Sequence, residues 1–259
     1  MKKPNLGRVW KTPVTGKVIW RACMTVALGL GWMASAEAAC RQALVLGLDV
    51  SGSVDAQEYR LQLEGLANAI EAQQVAERLL AMPDAPVRLA VFDWSTTERQ
   101  RVILPWREVH THSDITAIAT QLRSTKRAFN AAATANSTAT ALGTAMTFGI
   151  GMLEMQETCW KRTLDISGDG KNNNGIAPED VFVDNRFTIN GLVIGADNPP
   201  IGDVRLIEIA DLSSYYRTTV LRGPDAFVET ALGFRDFENA MTRKLIRELE
   251  GLVIGRLDP

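Results

Sequence analysis

A chain of 259 residues, 46% of them apolar, is long enough to bury the core of one full domain, and no internal repeat divides it. Its 28 Lys and Arg stand against 30 Asp and Glu, with no basic run interleaved with aromatics, which argues against a nucleic-acid partner. Three cysteines with no suitable His beside them speak against a Cys-based metal site.

Residues 1–39 read as a secretory signal outside the fold. Lys2, Lys3, Arg8, Lys11, Lys17 and Arg21 make a basic leader, Ala22–Ala34 is apolar, and small residues run to Ala38-Ala39. Thirteen residues of apolar type are too few to span a bilayer, so a cleaved signal fits better than an anchor. Glu37 stands where a lipidation signal before Cys40 needs an apolar residue, which disfavours acylation. Cleavage leaves 22 basic against 29 acidic residues, a net charge near −7 that suits a periplasmic or secreted protein with no stable membrane span.

The expected domain, 40–259, opens with LVLGLDVSGSV (44–54). Leu44, Val45, Leu46 and Leu48 predict a strand at 43–49 buried on both faces. It stops at Asp49, and Ser51 and Ser53 follow at alternate positions in a tight turn. A carboxylate and two hydroxyls make an all-oxygen cluster that suits a hard divalent cation. The same residue types also make ordinary capped turns.

A helix is expected over 55–82, since Tyr59, Leu63, Leu66 and Ile70 share one face. MPDAP (82–86) reads as a turn, followed by strand 87–94 and an edge strand near 101–105. A helix at 113–123, a polar loop 124–139, a helix at 141–156 and a strand at 162–167 come next. A short helix near 177–185, strand 187–194, loop 196–203 and a helix to about 215 lead to strand 226–231 and a closing helix 234–250. Alternating strands and helices predict an α/β fold, a doubly wound, mostly parallel sheet with one antiparallel edge strand and helices on both faces. The oxygen cluster then lies at the carboxyl end of a central strand, where such sheets bind ligands.

Two later segments join the first. TATALGTAM (138–146) places hydroxyls before a small-residue helix, and RTLDISGDGKNNNG (162–175) is a strand ending in Gly168-Asp169-Gly170. Together with Asp49-x-Ser51-x-Ser53 they resemble the metal-ion-dependent adhesion site of the von Willebrand factor A family, in that family's order and across the whole chain after residue 40. DVSGSVDAQEY, DISGDGKNNNG, FTINGLVIG and the tail from GPDAFV through RKLIREL are similar to an uncharacterised group of secreted bacterial proteins with that fold.

The resemblance implies a metal-dependent protein-binding module and not an enzyme. Asp49, Ser51, Ser53, Thr140 and Asp169 would bind Mg2+ or Mn2+, and a protein partner would offer an acidic side chain to the open coordination position. Thr140, three residues before Gly143, fits a Thr-x-Leu-Gly form of the motif, whereas Thr138 fits a Thr-x-Thr form. The fold also makes the first and fourth strands neighbours, with Cys40 and Cys159 at their amino ends, which implies a disulfide between them.

A competing resemblance is to haloacid-dehalogenase-like magnesium-dependent phosphohydrolases, with Asp49 as nucleophile. Ser51 stands where the soluble members carry a second Asp, and the helix follows too soon to leave room for their flap. His110 and His112 read as a solvated pair on a polar loop, and Asn172-Asn173-Asn174-Gly175 as turn chemistry. Trp94, Trp106 and Trp160 read as core or edge packing.

Overall fold

The computed structural model describes residues 40–128, 139–196 and 204–250. In chain order the elements are β1 (Cys40–Asp49), α1 (Ala56–Glu71), α2 (Gln73–Leu79), β2 (Val87–Trp94), β3 (Gln100–Val109) and α3 (His112–Ser124). There follow α4 (Leu142–Glu154), β4 (Cys159–Gly168), β5 (Phe187–Ile194), α5 (Val204–Tyr215), β6 (Val228–Ala231) and α6 (Phe237–Glu250). The expected leader lies outside the described residues.

The six strands form one sheet in the order β3-β2-β1-β4-β5-β6, parallel except where β3 runs antiparallel to β2. This is the expected doubly wound architecture with its single antiparallel edge. β1 lies inside it, and every one of its residues is buried. The two-residue period of a strand sends Leu44, Leu46 and Leu48 to the layer built with α1, α3 and α6, and Ala43 and Val45 to the layer of α4 and α5. The same alternation puts Gly47 toward this second layer, where a Cβ would come within 2.6 Å of the Phe92 ring.

Several boundaries differ from the expectation. β1 starts at Cys40, since Cys40 and Gln42 already pair with Cys159 and Lys161 of β4. The polar Gln42 is tolerated in the interior because its Nε2 donates to Thr163 Oγ1 at 3.2 Å. Arg41 is wholly buried, and its guanidinium donates to the Arg78 and Leu79 carbonyls at the end of α2, which a cation is suited to cap. β3 runs past Pro105, because a strand on the free edge can do without one N–H.

The expected helix 55–82 is two helices, broken where Ala72 turns extended (ψ 131°). The expected helix at 177–185 is a single 3₁₀ turn, Pro178–Asp180. α5 runs on into a π-helical turn, Tyr216–Val220. Trp160 does not pack in the interior; it is 61% exposed.

Two non-local ties join distant parts of the chain. Cys40 and Cys159, register partners on β1 and β4, form the expected disulfide across a sequence separation of 119 residues. On the other side of the sheet Lys244 of α6 is wholly buried, with Nζ 2.9 Å from Asp165 Oδ1 and 3.0 Å from Glu248 Oε1. Asn190 of β5 donates to Glu248 Oε1 at 2.6 Å and accepts from the Phe227 N–H at 3.0 Å. Burial pushes the Asp165 carboxyl up to about 7, against the pull of the Lys244 ammonium.

Both ties are testable by urea denaturation. Replacing Cys40 and Cys159 by Ser is expected to cost about 2–4 kcal/mol of unfolding free energy; two reactive thiols in the unreduced protein would contradict the bridge. Lys244→Met is expected to cost about 3–5 kcal/mol by leaving buried acids without their counter-charge, and an unchanged midpoint would show the cluster to be energetically idle.

Candidate metal-binding site

The carboxyl end of β1 stops at Asp49, and a short turn leads into α1. Asp55 caps that helix: its carboxylate accepts the Glu58 N–H at 2.8 Å, and Glu58 in turn accepts the Asp55 N–H at 2.7 Å. The turn is held from inside as well. Asp49 Oδ1 accepts the Ser51 N–H at 2.7 Å, and the Asp49 carbonyl accepts from Gln62 Nε2 at 2.8 Å. Gln62 is wholly buried. Sequence reasoning passed over it, although a polar residue among Tyr59, Leu63 and Leu66 on the apolar face of α1 marks the position.

The five candidate ligands gather at this edge of the sheet. Ser51 Oγ and Ser53 Oγ are 3.2 Å apart, and the Ser53 hydroxyl donates to Asp169 Oδ1 at 2.8 Å, so hydroxyls of the first turn reach the turn after β4. Thr140 is buried one residue before Ala141, the N-cap of α4. Its Oγ1 overhangs the Asp169-Gly170 turn, 3.9 Å from where a Cβ on Gly170 would lie. The alternative, Thr138, lies outside the described residues.

Asp49 is fully buried, and its Oδ2 has no hydrogen-bond partner. Burial, and then the charge of Asp169, push its carboxyl up to about 8. Burial likewise raises the Asp169 carboxyl. Behind them Gly168 closes the floor: a Cβ there would come within 2.6 Å of the Tyr216 hydroxyl and 3.1 Å of Asp49 Oδ2. Tyr216 OH and Trp94 Nε1 are also buried without partners.

This donor set fits a hard divalent ion. Two carboxylates and three hydroxyls are oxygen ligands of low total charge, and the unpartnered Asp49 oxygen is the kind of buried acceptor a cation satisfies. Among the described residues no group of three or more His, Cys, Asp or Glu that could hold a metal ion occurs, so an ion here would rest on two carboxylates and three hydroxyls.

Neighbouring groups have other work. Asp93, at the end of β2, accepts from the Tyr59 hydroxyl at 2.9 Å and from the Arg101 guanidinium, so this third carboxylate is already engaged. His110 and His112 stand past Val109, which pairs with Val87 at the opposite end of the sheet. There His110 Nε2 lies 3.0 Å from Glu108, exposed and far from the candidate ligands.

No curated protein matches the chain. Among solved structures it is similar to proximal thread matrix protein 1 from the mussel byssus, at a TM-score of 0.51 and 14% identity, over 83% of this chain and 49% of that one. A further structure of that protein has zinc in its metal-ion-dependent adhesion motif. The chain is also similar to the PilB minor pilin of Streptococcus sanguinis, at 0.53 and 10%, over 83% and 63%. A third likeness is to the pilus adhesin SpaC of Lactobacillus rhamnosus GG, at 0.51 and 11%, over 82% and 31%. The chain thus spans about half the length of the mussel protein. At these identities the likeness concerns the fold, which is of the von Willebrand factor A type. Residues 39–253 match the family described as "Protein of unknown function (DUF1194)", and the chain belongs to that family.

Proposed function

We propose that the protein is an exported, divalent-metal-dependent protein-binding module. Asp49, Ser51, Ser53, Thr140 and Asp169 hold one magnesium or manganese ion, and an acidic side chain of a partner protein completes its coordination. The observation that carries this reading is that Ser51 and Ser53, Asp169, and Thr140 above the Asp169-Gly170 turn meet at the strand end that carries Asp49, a buried carboxylate whose Oδ2 has no protein partner. When bound, the ion supplies an electrophilic centre for a partner carboxylate. The protein's own residues fix the ligands: Ser51 N–H and Gln62 orient Asp49, and the Ser53 hydroxyl orients Asp169.

Similarity of fold to a pilus adhesin, a minor pilin and a byssus matrix protein supports binding over catalysis. The zinc in the adhesion motif of the mussel protein supports a divalent ion. No observation favours the phosphohydrolase alternative with Asp49 as nucleophile. Export is supported by the basic and apolar leader and by the Cys40–Cys159 disulfide, a bond typical of oxidising compartments. Among the described residues no helix is long and apolar enough to cross a membrane.

Asp49→Ala is expected to abolish magnesium and manganese binding in calorimetric titrations of chelator-treated protein. Its thermal midpoint should change little, because loss of the acceptor for the Ser51 N–H is offset by removal of a carboxylate whose charged form burial disfavours. If neither ion binds the natural chain, or both bind the variant equally well, these residues are a capped turn and nothing more. N-terminal sequencing of the exported protein is expected to place cleavage close to Ala38 or Ala39. A mature chain that keeps Trp20 would instead mean an anchored segment.

A further inference from the structure

Asn172, Asn173 and Asn174 form more than a turn. Each gives its side-chain oxygen to a backbone N–H outside the loop, two of them in the stretch that opens α4 and one after β2. Asn173 Oδ1 accepts the Thr140 N–H at 2.7 Å, Asn172 Oδ1 the Gly143 N–H at 3.3 Å, and Asn174 Oδ1 the Thr97 N–H at 3.3 Å. Asn173 also donates its own N–H to the Thr140 carbonyl at 3.0 Å. Both backbone groups of Thr140 are therefore held by one residue of the loop that follows Asp169.

The neighbouring contacts leave this loop little freedom. The next residue along, Ala141, donates to the Ser95 carbonyl at 2.7 Å. α4 has no side-chain cap from its own N-cap residue, and Asn172 provides an acceptor for its first turn from outside. Gly143 lets the loop sit on the helix, since a Cβ there would lie 2.2 Å from the Ile176 carbonyl oxygen.

We infer that Asn173 is the positioning residue for Thr140. By occupying the N–H and C=O of Thr140, it fixes that residue's backbone and leaves the hydroxyl free to face Asp169 and the ion. Thr140 precedes its helix, so no regular element holds it, and a ligand must be set to within about 0.5 Å to bind well. An amide does this without adding a third charge beside Asp49 and Asp169. The inference rests on the metal reading given above.

The test is manganese binding to the chelator-treated full chain, read by calorimetry and by the electron paramagnetic resonance of the bound ion. Asn173→Ala is expected to weaken binding about tenfold or more, the usual effect of removing a group that orients a metal ligand. Asn173→Asp keeps the acceptor oxygen and is expected to bind as tightly as the natural chain or more tightly. In a Thr140→Ala background, Asn173→Ala is expected to cost almost nothing further, because it acts through Thr140.

Binding by Asn173→Ala within threefold of the natural chain overturns the inference, and so does a loss that adds in full to that of Thr140→Ala. Should Asn173→Ala not fold, Asn173→Gln displaces the same oxygen by one methylene and carries the same expectation. A natural chain that takes up no manganese overturns the metal reading, and this inference falls with it. That outcome is distinct from binding that is intact but indifferent to Asn173.

Discussion

The burial of β1 between two parallel neighbours is the constraint from which the rest of the structure follows. A strand with no exposed residue must satisfy every backbone group laterally, and β1 does so against β2 on one side and β4 on the other. That register brings Cys40 beside Cys159 at one end of the sheet. At the other end the same pairing brings Leu48 beside Ser167, so that the turns after β1 and β4 open side by side. The bridge and the candidate metal site are thus opposite ends of one ladder. A slip of register would undo both.

The site pairs rigid and irregular parts. Asp49 and Asp169 extend from paired strands and inherit their precision. Ser51, Ser53 and Thr140 lie on turns, and hydrogen bonds hold those turns: Asp49 to the Ser51 N–H, Ser53 to Asp169, and Thr140 to Asn173. The cost is a pair of desolvated carboxylates that repel each other, a state a protein keeps where charge chemistry needs it. Asp93 close by shows the alternative arrangement, an acid already matched by Arg101 and Tyr59.

Local pattern made part of this legible. β2 runs over the residues its composition predicts, and Asp49, Ser51 and Ser53 announce themselves within a few positions of an apolar run. The first residues of β1 did not, because Arg41 and Gln42 look like surface residues until their distant partners at Leu79 and Thr163 are known. The break at Ala72 carries no Gly or Pro to mark it. Pro105 reads as a strand end, but on an open edge its missing N–H matters little. Thr140 and Asp169 were found through the resemblance to a known motif rather than through spacing. The three asparagines show the limit most clearly, since turn residues and latch residues have the same composition and only the fold tells them apart.

The ion cluster around Lys244 bears on the order in which the chain becomes native as it is made. Asp165 is set into the middle of β4, yet its counter-charge arrives on α6, the last described element, together with Glu248. Until that helix docks, the sheet holds an acid that must stay wet or protonated, so the layer formed by α1, α3 and α6 cannot be sealed. Closure of that layer is thus tied to the docking of α6.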